Sequence, residues 1–254
     1  MIRLFENINE LDSSSWYNIT YTKQGSRNVN MAIILAAPIG AGKSTVTKKL
    51  SDLMSLPAAY ESVSDNPVLP LYYSDRKRYG FHLQMYFLER RVSDMQAMYS
   101  VETIAHQHVI SDRSIIEDKA IFATQLHDTG MMNDVEFDIY TKNLETDLKL
   151  LDSFKHHTDG TPEDVLVFLH PSFERTLDQI VERGRSFEQF DKNPELKDYY
   201  KDIYDRYAKW YAEYDRTPKI EITNYDVMSD EGLTDFYKQF QQKLNEINFK
   251  VNMK

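Results

Sequence analysis

Cysteine is missing from all 254 residues. That excludes disulfides, thiolate metal sites and cysteine nucleophiles. No apolar run approaches the roughly 20 residues that a membrane-spanning helix requires. Basic residues are the minority, 30 Lys and Arg against 40 Asp and Glu, for a formal charge of -10. So acidic a chain is a poor general binder of nucleic-acid polymers, which are gripped by neutralising their phosphates. A local basic pocket for one small phosphorylated ligand stays open. The opening stretch MIRLFENINELDSSS mixes acidic with apolar residues and lacks a signal-peptide core, so a soluble cytoplasmic protein is expected. Asn18-Ile19-Thr20 matches a glycosylation acceptor that is idle without secretion. The seven histidines show no His-Glu-x-x-His spacing, and His156-His157 falls in an expected loop.

With 41% hydrophobic residues, the chain can bury a core as one large α/β domain or two small ones. Residues 1–30 are polar and weakly patterned, and read as an extension or as a stretch upstream of an alternative start at Met31. The remainder, 31–254, reads as one domain in which strand-length apolar runs alternate with helical patterns, as a parallel sheet with covering helices requires. The expected strands are Met31–Ala37, Ala58–Ser62, His108–Ser111, Val165–His170 and Lys219–Thr223. The expected helices are Gly42–Leu56, Asp75–Ser100, Ser114–Leu126, Asp134–Phe154, Ser172–Arg183, Pro194–Asp215 and Ser229–Asn248. Phe81, Met85, Leu88, Val92, Met95 and Tyr99 form one apolar stripe, and Leu196, Tyr200, Ile203, Tyr207, Trp210 and Tyr214 form another. Stripes of this kind are usually core or subunit interface.

Ala37-Pro38-Ile39-Gly40-Ala41-Gly42-Lys43-Ser44, followed by Thr45, joins the first strand to the first helix. A triphosphate needs many donors and little steric bulk, and a glycine-rich turn of backbone N–H groups supplies both. The helix behind it adds its positive end. Lys43 would hold the β- and γ-phosphates, and the Ser44 hydroxyl would ligate Mg²⁺. Ala37 stands where the pattern has its first glycine, a small cost if its φ is negative.

The acceptor must be read elsewhere. The Asn-Lys-x-Asp motif of guanine-selective switches is absent. Glu61 ends the second expected strand, where a carboxylate can take a proton from an acceptor hydroxyl; alone, it is equally a surface residue. Asp112-Arg113-Ser114 closes the third strand, and Ser114 with Glu117 makes a capping box that starts a helix at once. Arg183-Gly184-Arg185 suits a flap closing on phosphates, or else a solvated basic turn. Gln84 and Arg91 lie two helical turns apart, about 10.5 Å along one face, enough to read two edges of a base, with Asp118 an available partner for the arginine.

Taken together these residues resemble the deoxynucleoside kinases, nearest the bacterial deoxyadenosine/deoxyguanosine kinases and more distantly the animal deoxycytidine and deoxyguanosine kinases. The resemblance runs through the phosphate loop, Tyr60-Glu61, Asn66 to Tyr73, Asp112 to Asp118, Arg183 to Gln189 and Leu196 to Tyr200. It implies a P-loop NTPase-type three-layer α/β sandwich, a five-stranded parallel sheet flanked by helices, usually in a homodimer. It also implies roles: Glu61 as base on the nucleoside 5′-hydroxyl, Arg113 beside it, and Asp112 assisting Mg²⁺. Tyr73 and Glu188 would hold the sugar 3′-hydroxyl, Gln84, Arg91 and Asp118 would read the base, and Arg183 and Arg185 would close on the donor phosphates. Gln84 departs from the Asn expected in the nearest bacterial relatives, which leaves adenine or guanine open. Inhibition by the end-product triphosphate is also implied.

The reaction so implied is transfer of the γ-phosphoryl group of ATP, or another nucleoside triphosphate, to a deoxynucleoside. The partners are the deoxynucleoside and the nucleotide, with neither a nucleic-acid polymer nor a membrane. A nucleoside monophosphate kinase shares the loop, the Asp-Arg pair and the flap, but Glu61 would repel its charged acceptor. A catalytically silent nucleotide-binding module is the third reading, suggested by Ala37 and opposed by Lys43, Ser44, Glu61 and Asp112.

Overall fold

The computed structural model describes residues 32–60, 66–105, 108–154 and 164–247. Glu61 and the stretch 1–31 lie outside them. Five parallel strands stand in the order β2-β3-β1-β4-β5, namely β1 (Ala32–Ala36), β2 (Ala58–Ala59), β3 (Val109–Asp112), β4 (Val165–Leu169) and β5 (Lys219–Ile222). Strands β1 and β4 are apolar throughout because helices cover both faces: every residue of β4, Val-Leu-Val-Phe-Leu, is buried. The edge strand β5 alternates instead, with Ile220 and Ile222 buried between half-buried Lys219 and Glu221.

Helices α1 (Lys43–Met54) and α9 (Asp230–Glu246) pack on one face, where Val46, Leu50, Phe236 and Phe240 meet Ile33, Leu35, Val165 and Val167. On the other face α8 (Glu195–Glu213) brings Ile203 and Tyr207 against Leu166 and Phe168, beside α7 (Phe173–Arg183). A further core lies among α2 (Leu69–Ser74), α3 (Arg76–Ala105) and α6 (Asp134–Phe154).

The structure departs from the sequence reading at three places. Helix α2 was not expected. It exists because the Asn66 side chain accepts the N–H groups of Val68 and Leu69 at 2.9 and 3.1 Å, just ahead of a proline that suits a first turn. The helix expected over Ser114–Leu126 is α4 (Ile115–Glu117), a π-helical turn over Asp118–Ala123 and α5 (Thr124–Asp128). Such wide turns collect at functional sites. On α3 the expected stripe is only partly the buried face: Leu88 and Tyr99 are buried, while Phe81, Met85, Val92 and Met95 are half-buried. The buried face is shared with two polar residues, Gln84 and Arg91, because that side of the helix lines a cleft. The α8 stripe does serve as core through Leu196, Tyr200, Ile203 and Tyr207. Among the described residues no helix is long and apolar enough to cross a membrane.

Phe168 is fully buried, its ring 4.8 Å from Tyr211 and 6.1 Å from Tyr207. Phe168→Ala should lower the unfolding free energy by about 3–5 kcal/mol in a urea titration.

Candidate active site

Parallel sheets bind ligands beyond the carboxyl ends of their strands, and the register here shows what gathers there. Asp112, the last residue of β3, pairs with Leu35 next to the end of β1, so its side chain stands at the mouth of the loop that follows β1. That loop turns on two glycines with positive φ, 83° at Gly40 and 74° at Gly42. No side chain fits at Gly40, where a Cβ would come within 2.3 Å of the Thr176 carbonyl oxygen on α7. Ala37 is buried and is not among the positive-φ residues, so the missing first glycine demands no strained backbone. Lys43 is ion-paired with Asp112, and the Ser44 hydroxyl donates to the other oxygen of that carboxylate at 2.6 Å.

Arg113 follows with a φ of 103°, a strained backbone for a side-chain-bearing residue. Its guanidinium is held on three sides. It donates to the Tyr207 hydroxyl, lies 3.3 Å from a Glu117 oxygen, and sits 4.9 Å from the centre of the Phe122 ring. The Tyr207 hydroxyl in turn donates to Glu117, while Ser114 and Glu117 complete the expected capping box. Glu117 was legible as a cap; its grip on Arg113 was not. Tyr207 was legible only as part of an aromatic stripe.

The third group lies on α3 and the π-helical turn. Arg91 and Asp118 form a buried ion pair, and Gln84 is buried two turns earlier. The Gln84 Oε1 atom is enclosed without a hydrogen-bond partner, an arrangement that costs about 1–3 kcal/mol unless a ligand or water meets it.

The fourth group is the flap. Glu188 is buried, and both arginines turn to it: Arg183 donates at 2.6 Å and Arg185 at 3.2 Å. The arginines expected on donor phosphates and the carboxylate expected on the sugar therefore rest on one another here, since a buried carboxylate requires a counter-charge. Tyr73 stands beside them, its ring 5.3 Å from Phe187, and Tyr200 donates to the Glu188 carbonyl at 2.8 Å. Burial holds the Tyr73 phenol well above its ordinary range, so it stays protonated and able to donate.

One cleft of about 500 Å³ joins all four groups. Gly40 to Thr45, Tyr73, Gln84, Arg91, Arg113, Asp118, Arg183, Arg185 and Glu188 all line it, while Asp112 stands behind Lys43 and Ser44. The volume is that of a small-molecule site. Among the described residues no group of three or more His, Asp or Glu could hold a metal by itself. The Ser44 hydroxyl and the Asp112 carboxylate are nevertheless hard oxygen ligands, adequate for an ion that takes its remaining ligands from water and phosphate. Arg175, Gln179, Tyr225 and Met228 also line the cleft, and nothing in their sequence context marked them.

Comparison with known proteins points one way. The family model described as deoxynucleoside kinase matches residues 33–251. The chain is 38% identical over 221 residues to a deoxyadenosine kinase of Lactobacillus acidophilus, covering 85% of this chain and 97% of that one. It is equally identical, at 38%, to a deoxyguanosine kinase of the same organism, covering 85% and 91%. Identity to a deoxyadenosine/deoxycytidine kinase of Bacillus subtilis is 33%, with coverage of 80% and 88%. A solved deoxyadenosine kinase from M. mycoides with bound dCTP superposes with a TM-score of 0.64 at 24% identity, covering 85% of this chain and all 100% of that one. That likeness is one of fold.

Burial raises the Glu117 carboxyl above its ordinary 4.5, against the pull of Arg113 and Lys43. A carboxyl whose folded pKa exceeds its unfolded one keeps its proton longer when folded, so its contribution to stability declines as pH climbs from about 4.5 toward the raised value. Glu117→Gln abolishes that decline. Urea titrations should find the variant least stable relative to the parent in acid and gaining on it toward neutrality.

Proposed function

The chain belongs to the deoxynucleoside kinase family, and we propose from this and the cleft that it transfers the γ-phosphoryl group of ATP, or another nucleoside triphosphate, to the 5′-hydroxyl of a deoxynucleoside. Deoxyadenosine and deoxyguanosine are the leading acceptors, with deoxycytidine next, since relatives at 38% and 33% identity bear those names. The observation that carries the reading is the single cleft with a glycine-lined anion cradle at one end and the buried Gln84, Arg91 and Asp118 at the other.

The donor triphosphate lies in the loop, its phosphates on the backbone N–H groups of Gly40 to Ser44 and on Lys43. Lys43 exchanges its bond to Asp112 for the phosphate oxygens. Arg183 and Arg185 leave Glu188 for the transferring group, which frees that carboxylate, with Tyr73, for the sugar 3′-hydroxyl. Ser44 and Asp112 would hold Mg²⁺, which neutralises phosphate charge when bound. Glu61, placed by sequence alone, takes the 5′-hydroxyl proton, and Arg113 steadies carboxylate and acceptor. Phosphoryl transfer proceeds through a loose transition state, so positioning and charge neutralisation outweigh base strength. Glu117 and Tyr207 contribute by fixing Arg113.

We also assign a homodimer. Helix α6 exposes Val135 and Ile139, one turn apart, at 68% and 43% of their surface. A second copy offering the same face covers both. Ile139→Asp should shift the species measured by light scattering from dimer to monomer.

Incubating the chain with ATP, Mg²⁺ and each of four deoxynucleosides, with deoxyadenosine monophosphate as a further acceptor, tests the reaction. ADP should appear with a purine deoxynucleoside and not with the monophosphate. Glu61→Gln should lower turnover at least about 10²-fold while leaving ATP binding nearly intact. A variant as fast as the parent removes Glu61 from the mechanism.

A further inference from the structure

The phosphate loop is gripped from a part of the chain that the mechanism above does not use. Tyr225 lies on the turn between β5 and α9, and its hydroxyl donates to the carbonyl oxygen of Ala41. The tyrosine is itself well fixed. Its ring meets Phe236 edge-on, with centroids 5.8 Å apart. Its neighbour Asp226 locks the turn by accepting the Met228 N–H at 2.8 Å and the Ser229 hydroxyl at 2.6 Å. Gly232 then approaches so closely that a Cβ there would come within 2.8 Å of Asp226. Burial raises the Tyr225 phenol, which therefore stays a donor across the working pH range.

Ala41 and Gly42 share one peptide plane, and in a trans peptide the C=O and the following N–H point in opposite directions. A carbonyl tied to Tyr225 thus turns the Gly42 N–H away from the tyrosine. That orientation is not secured by the loop itself. Gly42 sits at a φ of 74°, and glycine reaches the corresponding negative φ about as readily. Half a turn of this peptide, taken up by ψ of Ala41 and φ of Gly42, would reverse both groups and leave the flanking chain in place. The reversed form presents a carbonyl oxygen where the present one presents an N–H, and an oxygen repels phosphate.

We propose that Tyr225 is a positioning residue of the triphosphate cradle: by holding the Ala41 carbonyl, its hydroxyl keeps the Gly42 N–H turned toward the donor phosphates. The inference rests on reading the Gly40–Ser44 loop as that cradle, and the test separates the two. Calorimetric titration of the full chain with MgADP, and separately with deoxyadenosine and deoxyguanosine, is compared across the parent, Tyr225→Phe, Lys43→Ala and Phe236→Leu. Tyr225→Phe should weaken MgADP by about three- to tenfold, the effect of one neutral hydrogen bond, and leave deoxynucleoside binding unchanged. Phe236→Leu loosens the same turn but keeps the hydroxyl, so it should lower the unfolding midpoint without changing the ratio of the two affinities. Unaltered MgADP binding by Tyr225→Phe, alongside its loss in Lys43→Ala, overturns the positioning role alone. Unaltered binding by Lys43→Ala overturns the cradle. Equal weakening of both ligands in Tyr225→Phe, or a selective MgADP loss in Phe236→Leu as well, makes Tyr225 a packing residue and ends the proposal.

Discussion

A carboxylate that cannot reach water sets the shape of this site. Asp112 ends a buried strand, next to the strand from which the phosphate loop springs, and its side chain has no exposure of its own. An ionised group in such a place must be met by charge and hydrogen bonds or be displaced. Lys43 and Ser44 meet it, and both belong to the first turn of α1. The requirement of one buried anion therefore fixes the start of α1 against β3, and with it the curve of the loop between β1 and α1. Under the proposed function, a phosphate in that loop offers Lys43 a second anion in place of Asp112.

The same pattern recurs around the cleft. Asp118 is met by Arg91, Glu117 by Arg113, and Glu188 by Arg183 and Arg185. Buried ion pairs are weak stabilisers, because desolvating both partners offsets most of their attraction. Their concentration in one cleft is thus poorly explained by folding and well explained by recognition. Under the proposed function it also reconciles the net charge of -10 with an anionic ligand. The side chains of Lys43, Arg91 and Arg113 are at most 8% exposed and each is balanced by a carboxylate beside it, while Arg183 and Arg185 stay partly exposed at the flap.

How much of this could be read from the sequence follows from the range of the interactions. The phosphate loop, the capping box at Ser114 and the strands of the sheet are written within a few neighbouring residues, and they appear where the local pattern places them. Helix α2 was missed because its signal is one asparagine side chain acting on the two N–H groups of Val68 and Leu69. The π-helical turn was missed because nothing local separates it from an α-helix; it is visible only as the placement of Asp118 against Arg91, 27 residues earlier. Tyr207 reaches Arg113 across 94 residues and Tyr225 reaches Ala41 across 184. A hydroxyl at the end of an aromatic ring carries no periodic signature, and the stripe that betrays the ring says nothing of its polar tip.

Selectivity under the proposed function follows from which groups can change their hydrogen-bonding sense. Gln84 can turn its amide and so offer either a donor or an acceptor at the same point. Arg91 only donates and Asp118 ionised only accepts, and their buried pairing prevents either from turning away. A base entering the cleft must suit the fixed pair first, after which the amide adjusts to whatever edge remains. The unmet Gln84 oxygen then penalises a ligand that brings no polar atom to it, because the enclosed acceptor stays unsatisfied. The pair decides how the base lies, and the amide decides whether lying there is worthwhile.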